Sequence, residues 1–363
     1  MKVLFIGDLN AHTRTAQRLR VFKDLGHEVR SLSFFPDNYL PGISGQPSIL
    51  NRGMYKLGYP MDDTGVNRAI LREFSSNSFD FVWIEKGLMI RPSVIRKIKK
   101  LHPGVIIASY TEDDMFARHN QSAYYRASLP LFDVVFTTKS YNCDPGELPS
   151  LGAKKVVFVD KSFDRYTHRP VPISDEDREA YGADVGFIGT FEEDRAEKML
   201  FLAKSGIEVR VWGNGWKRWV GRHSLLRIEN HPIYGEEYVK SLCTTKINLC
   251  FLRKINRDLQ TDRTMEIPAC GAFMLAERTE EHKRLFKEGK EAAYFNADKP
   301  NELLEKVQYY LDHEEERQRV ARSGRECCLN SGYSHHDRIQ WMMRSIWNKC
   351  PRASAQKAFI GTI

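Results

Sequence analysis

Two consecutive doubly wound, Rossmann-like α/β domains are the fold class this sequence predicts, and three observations carry that reading. Short β-branched runs alternate with longer amphipathic stretches, the pattern of parallel sheets assembled from strand–helix–strand units. The alternation breaks once, over residues 160–183, and then restarts. The chain has 363 residues, beyond the roughly 250–300 at which a single hydrophobic core stops growing.

The first half opens with a strand candidate at Val3–Gly7, a helix at Thr15–Leu25 and a second strand at Glu28–Phe34. Residues 36–63, rich in Pro, Gly, Asn and Asp, then predict a long loop, and loops of that length in compact domains are usually functional. Helices at Gly65–Ser75 and Pro92–Leu101 alternate with strands at Phe81–Glu85, Val105–Tyr110, Val134–Thr137 and Val156–Val159. The stretch DKSFDRYTHRPVPISDEDREAYGAD combines Pro170, Pro172 and a run of acids, all averse to strands, and reads as a linker. Beyond it the strand candidates are Val185–Gly189, Val209–Gly213, Ile247–Phe251, Ala272–Leu275 and Ala292–Phe295. Helices are expected at Arg195–Ser205, Glu236–Thr244, Leu303–His313 and Glu314–Asn330. The domains are therefore placed at 1–165 and 166–345, with a tail over 346–363.

Composition narrows the class. Hydrophobic residues at 42% and charged residues at 28% suit a folded globular protein and are too apolar for disorder. No apolar run approaches the roughly 20 residues that span a bilayer, and MKVLFIGDLN runs directly into a strand without a secretory leader. A cytoplasmic protein is expected, with peripheral attachment to a membrane left open. Seven scattered cysteines without a C-x-x-C pair argue against a disulfide framework and a structural zinc site. No metal-ligand cluster stands out, so neither a metal nor a cofactor is expected.

The net charge of +8 is unevenly spread: residues 1–165 hold 23 Lys and Arg against 17 Asp and Glu. That surplus fits an anionic partner such as a saccharide, a lipid or a modified nucleic acid, and equally fits a solvated lysine-rich surface. The familiar RNA- and DNA-binding signatures are absent.

No Walker A sequence and no G-x-G-x-x-G follows the first strand, which argues against a classical dinucleotide site. The second half carries more. Gly189-Thr190 ends a strand and Arg195 lies in the next helix: a small residue admits a phosphate, a helix start offers N–H groups, and an Arg clamps the charge. An ordinary turn with a surface Arg reads the same way. In VWGNGW, Gly213 and Gly215 open space beside Asn214, while Trp216 either flanks a base or fills the core. The segment Arg263–Phe273 reads as a short helix whose Glu266 is placed at the helix start to accept the hydroxyls of a ribose, or simply to cap the helix.

The succession of the Gly189-Thr190 turn, VWGNGW, RTMEIPACGAFMLAERTEEHKRLFKEGKEAAYF and GYSHHDR resembles the C-terminal donor-binding domain of GT-B glycosyltransferases. It is most similar to the CgeB-like (spore maturation protein) group and more distantly to the retaining group with the Glu-x(7)-Glu motif. The specific similarity spans about residues 184–345; over 1–165 only strand order and the opening segment agree. The resemblance implies two such domains facing a cleft, with His336–Lys349 packing back on the first.

The resemblance further implies that Glu266 holds the ribose of a nucleotide-diphosphate sugar, a UDP-sugar by expectation. Arg195 and Arg263 would neutralise the diphosphate, with Gly189 and Thr190 beneath it. Gly213, Asn214, Gly215 and Trp216 would border the nucleotide, and Ala269, Cys270 and Gly271 would bring the helix start close to the donor. The first Glu of the larger group's motif is replaced by Asp258, which leaves retention or inversion of the anomeric centre open.

Sugar transfer builds negative charge on the departing diphosphate, which arginines and helix N-termini stabilise without a metal. An inverting enzyme also needs a base for the acceptor hydroxyl. Asp113 is favoured, since TEDD follows the strand Val105–Tyr110 directly; Asp114, His12, Glu112 and His119 are further candidates. TEDD equally reads as an acidic helix start, and His335 and His336 read as packing or surface residues. A two-lobed ligand-binding protein and a sugar-nucleotide epimerase of the same fold are the alternatives.

Overall fold

The computed structural model describes residues 1–36 and 49–347. Two units emerge. One comprises Met1–Val159 together with the chain from His336, the other Asp160–His335. These divisions lie six residues before the expected boundary at 165 and ten before that at 345.

The first unit holds a sheet of β1 (Lys2–Gly7), β2 (Glu28–Ser33), β3 (Phe81–Glu85), β4 (Ile106–Thr111), β5 (Val134–Thr137) and β6 (Val156–Phe158). The strands lie in the order β2-β1-β3-β4-β5-β6, and every pair is parallel. Alternation along each strand assigns the two faces. Leu4, Ile6, Val82 and Ile84 point to one face, beneath helices Val66–Ser76 and Pro92–Leu101. Val3, Phe5, Phe81 and Trp83 point to the other, where Val21 and Phe22 of helix Arg14–Asp24 cover them. That second face is completed by the C-terminal helix His335–Trp347, which inserts Ile339, Met342 and Met343 into the same cluster. The chain therefore returns to its first unit after folding the second, as the resemblance implied.

The second unit repeats the plan with β7 (Ala183–Ile188), β8 (Val209–Trp212), β9 (Leu226–Ile228), β10 (Thr245–Cys250), β11 (Met274–Glu277) and β12 (Ala293–Phe295). Their order is β12-β11-β10-β7-β8-β9, again all parallel. Val185, Phe187, Ile247 and Leu249 face helices Glu193–Lys204 and Pro300–Asp312. Cys250, Met274 and Ala276 face helices Gly235–Thr244 and Asp262–Ala269.

Local departures from the expected elements have simple causes. The acidic run of the expected linker starts helix Asp175–Tyr181: Ser174 caps the Asp177 N–H at 3.1 Å, and Asp177 returns a bond to the Ser174 N–H at 3.1 Å. These acids sit at a helix N-terminus, where the dipole favours them. The expected loop over 36–63 contains helix Ile49–Lys56, and its residues 37–48 lie outside the described residues. The edge strand β9 has only three residues and too little alternation to be seen in the sequence.

The return of the C-terminal helix carries a stability prediction. Ile339→Ala removes a fully buried side chain from the first unit's core and should cost about 2–5 kcal/mol. Trp341→Ala, on the exposed side of the same helix, should cost far less, and urea unfolding of both variants compares them.

Candidate functional site

In an open parallel sheet the crevice lies beyond the carboxyl ends of the strands, where the strand order reverses. The second unit reverses between β7 and β10. Here the Gly189 N–H donates to the Trp212 carbonyl at 2.8 Å, and the Gly189 carbonyl accepts from Trp216 Nε1 at 2.9 Å. Gly213 adopts φ +147°, and a Cβ there would lie 2.0 Å from the Gly189 oxygen, so only glycine fits. A Cβ on Gly189 would meet Phe187 at 2.7 Å and Arg263 Nη1 at 3.2 Å. The two glycines let β7 and β8 end in close contact.

Two guanidinium groups occupy this reversal point. Arg195 donates to the Thr190 carbonyl at 3.1 Å and the Leu252 carbonyl at 2.9 Å. Arg263 donates to the Ile188 carbonyl at 2.9 Å and the Phe251 carbonyl at 3.3 Å. Both lie 5.2 Å from the centre of the Phe187 ring. Burial, followed by the neighbouring Arg263 cation, pushes the Arg195 pKa down to about 10. Glu192 pairs with Arg195 at 3.0 Å. Among the described residues no carboxylate pairs with Arg263, and its buried Nε has no hydrogen-bond partner.

Glu266 lies in the same helix as Arg263, Asp262–Ala269, and is 2% exposed. The Tyr238 hydroxyl donates to its Oε2 at 2.5 Å. His168 approaches Oε1 at 3.7 Å through Nε2. The Asp164 N–H donates to His168 Nδ1 at 3.0 Å, so the neutral ring carries its proton on Nε2, facing the carboxylate.

In the first unit the strand order reverses between β1 and β3, and a cavity of about 920 Å³ opens there. Its wall takes Asp8 after β1, Phe34 and Phe35 after β2, Glu85 and Lys86 at β3, and Glu112 and Asp113 after β4. Arg18 forks onto Glu85 with two bonds of 2.6 Å and reaches Glu112 at 3.2 Å. Burial opposes the Arg18 charge, but Glu112 and Glu85 outweigh it and hold the pKa above its usual value. Asp113 forms an ion pair with Lys86, a non-glycine residue at φ +47°.

These two units have counterparts among known structures. A sucrose-phosphate synthase from Thermosynechococcus elongatus is similar at a TM-score of 0.67 and 11% identity, over 96% of this chain and 100% of that one. Anabaena HepE in complex with UDP-glucose is similar at 0.62 and 10% identity, over 95% of this chain and 100% of its own. A Listeria monocytogenes protein described as a UDP-N-acetylglucosamine 2-epimerase follows at 0.55 and 12% identity, over 97% of this chain and 98% of its own. The fold is that of GT-B glycosyltransferases. In sequence, residues 195–344 match the family model described as glycosyl transferase-like, a segment shorter than half the chain. No curated protein matches.

Within the GT-B fold the expected site residues separate. Gly189, Thr190, Arg195, Gly213 and Arg263 converge at the second reversal point. Trp216 is fully buried and packs on Phe187 and Phe191, so it belongs to the core and braces Gly189 rather than flanking a base. Asn214 and Gly215 lie exposed beside it, where the Asn214 carbonyl accepts from the Phe191 N–H at 2.9 Å. Ala269 and Cys270 are buried and, with Gly271 at φ +71°, form the C-terminal end of their helix rather than its start. Glu266 correspondingly sits beyond the first turn, so it does not act as an N-terminal charge. The helix after β7 is not a ready anion site either, because Glu192 at its cap and Glu193 and Asp194 in its first turn are acidic.

Asp258 is half-buried in the loop after β10, its N–H donating to the Arg253 carbonyl at 3.2 Å. In the first unit Asp113 faces the cavity, whereas Asp114 is buried and bound by Asn142 Nδ2 at 3.0 Å and the Phe116 N–H at 3.2 Å. Asp114 is thus a loop brace. His12 is exposed, outside the cavity wall, and His119 lies in the short helix Arg118–Asn120.

Sequence reasoning missed Arg18, Lys86, His168, Tyr238 and His282. His282 secures the start of the Glu266 helix. Its Nδ1–H donates to the Glu277 carbonyl at 2.6 Å, and its Nε2 accepts from the Thr264 hydroxyl at 2.8 Å. Thr264 Oγ1 in turn accepts the Thr261 N–H at 3.0 Å. Burial lowers the His282 pKa to about 4 from 6.5. The unfolded chain then binds a proton that the folded one refuses. Stability is full above pH 6.5 and falls by about 3 kcal/mol as the pH drops from 6.5 to 4. His282→Gln keeps one donor and one acceptor, and urea titrations at pH 7.5 and 5 should show a shallower acid loss in this variant than in the wild type.

Proposed function

We propose that this chain is a glycosyltransferase of the CgeB-like group, moving a sugar from a nucleotide-diphosphate sugar, preferably a UDP-sugar, to an acceptor hydroxyl. The observation that carries the reading is the guanidinium pair at the β7/β10 reversal of a GT-B fold, with Arg263 lacking a carboxylate partner among the described residues. Cations held there by strand-end carbonyls are fixed before any ligand arrives, as stabilisation of a leaving diphosphate requires. That UDP and UDP-glucose accompany the similar HepE structures favours uridine.

In this reading the anomeric C–O bond to the diphosphate breaks and a C–O bond to the acceptor oxygen forms. Arg263 and Arg195 take up the charge of the departing diphosphate without a metal, and they carry this task rather than the acidic helix start after β7. Glu266, oriented by Tyr238 and His168, accepts the ribose hydroxyls. Asp113 receives the acceptor's proton where the reaction inverts. Its ion pair with Lys86 must then loosen, since a paired carboxylate is a poor base. Asp258 stands near the transferred sugar. The acceptor-binding unit is the first and the donor-binding unit the second, and the protein works in the cytoplasm.

The similarity to an epimerase supports a second outcome, in which the sugar changes while still attached to its nucleotide. Thermal-shift titration with UDP-, GDP-, ADP-, CMP- and dTDP-sugars identifies the donor, since a ligand at 100 times its Kd adds about 2.7 kcal/mol of stability. Glu266→Ala should weaken binding of the selected donor by about 1–3 kcal/mol. Unchanged affinity in the folded variant removes Glu266 from the site. Released free diphosphate marks transfer, an altered sugar still on its nucleotide marks epimerisation, and no shift with any nucleotide favours a non-enzymatic binding protein.

A further inference from the structure

The cavity at the β1/β3 reversal combines a charged floor with an apolar wall. Phe34, Phe35, Tyr55, Met61, Met89 and Tyr110 supply aromatic and thioether surface. Four cationic and five acidic side chains also line it. Basic surplus in the surrounding sequence therefore does not extend into the cavity.

The charges of the cavity floor are spent on one another. Arg18 is forked onto Glu85 and reaches Glu112, while Trp83 Nε1 at 3.1 Å and Thr15 Oγ1 at 2.8 Å complete the shell of Glu85. Lys86 pairs with Asp113, and Asn51 Nδ2 donates to Asp63 at 2.5 Å. To reach Arg18 or Lys86, the cations of the cavity floor, an anionic ligand would have to break an existing ion pair and would meet carboxylates in excess, while Arg52 and Lys56 stand at the exposed rim. A neutral ligand leaves the pairs intact, buries its body against the apolar wall and offers hydroxyls to the ionic rim.

We infer that this cavity takes a neutral, hydroxyl-bearing small molecule with an aromatic or apolar body, and that this is the acceptor class. The inference rests on the transferase reading only for the word acceptor; the pocket and its preference stand on their own geometry. It departs from the anionic partner that the basic first half suggested.

Calorimetric titration of the full chain with 4-nitrophenyl β-D-glucopyranoside and, separately, glucose 6-phosphate tests it without a donor. Tyr55→Glu and Met61→Glu alter side chains at the open rim, 49% and 42% exposed, where folding tolerates a charge. The neutral glycoside should bind saturably and lose at least about tenfold in affinity, 1.4 kcal/mol, in each variant, with an unchanged circular dichroism spectrum. Glucose 6-phosphate and vesicles containing phosphatidylglycerol should bind more weakly and be indifferent to both substitutions. Tighter binding of either anionic probe, no binding of the glycoside, or glycoside binding untouched by both variants overturns the proposal. A parallel titration with UDP-, GDP-, ADP-, CMP- and dTDP-sugars separates the two readings: glycoside binding without binding of any nucleotide-sugar sinks the transferase and spares the pocket, and the reverse sinks the pocket alone.

Discussion

A parallel strand ends in carbonyls that no neighbour takes once the sheet order reverses, and the second unit meets this constraint with buried cations. Arg195 and Arg263 reach from two different helices to carbonyls at the ends of β7 and β10, replacing the missing ladder bonds with charged donors. Burying two like charges side by side is costly, as the depressed pKa of Arg195 shows. What offsets that cost is the array of carbonyl dipoles, the Phe187 ring and Glu192. The small residues follow from the same arrangement. Gly189 must leave room for Arg263, Gly213 must leave room for the Gly189 carbonyl, and Trp216 closes the back by bonding that carbonyl.

The first unit meets the same topological point differently. Its buried Arg18 is matched by carboxylates instead of carbonyls, so the charge is neutralised where it stands. One reversal point thus retains a cation without a carboxylate partner among the described residues, and the other a set of mutually paired ions. A diphosphate suits the former and a neutral body the latter. Under the proposed transfer reaction this contrast between two units of one topology favours different ligands for them, a distinction that fold similarity alone does not make.

The two-unit plan and most of its strands were legible in hydrophobic alternation, and the return of the C-terminal helix only in the motif succession that carries the resemblance. Trp216 was not assignable because an aromatic beside glycines satisfies a base-stacking site and a core equally well; only its complete burial decides. Gly271 does stop the Glu266 helix, as a Gly before a buried strand suggests, whereas the resemblance ties Ala269, Cys270 and Gly271 to a helix start. The acidic run over 174–179 looked like a linker since its capping geometry depends on φ/ψ values at Ser174, not on composition. Arg18, His168 and His282 were invisible for another reason. Each bonds partners far away in sequence or buried in a neighbouring element, and a single Arg or His carries no periodic signal.

Net charge leaves the partner open for a related reason. The surplus of the first half includes Arg96, Lys97 and Lys100, which lie on the exposed face of helix Pro92–Leu101, while Lys99 is committed to Asp133 at 2.7 Å. Solvated lysines on a helix face set solubility and long-range steering, within a screening length of roughly 8 Å at physiological salt. They do not set the chemistry of a cavity whose floor cations, Arg18 and Lys86, are already paired. Selectivity at such a cavity follows from which charges a ligand must break, and there the ion pairs of Arg18 and Lys86 weigh more than the sum over the whole unit.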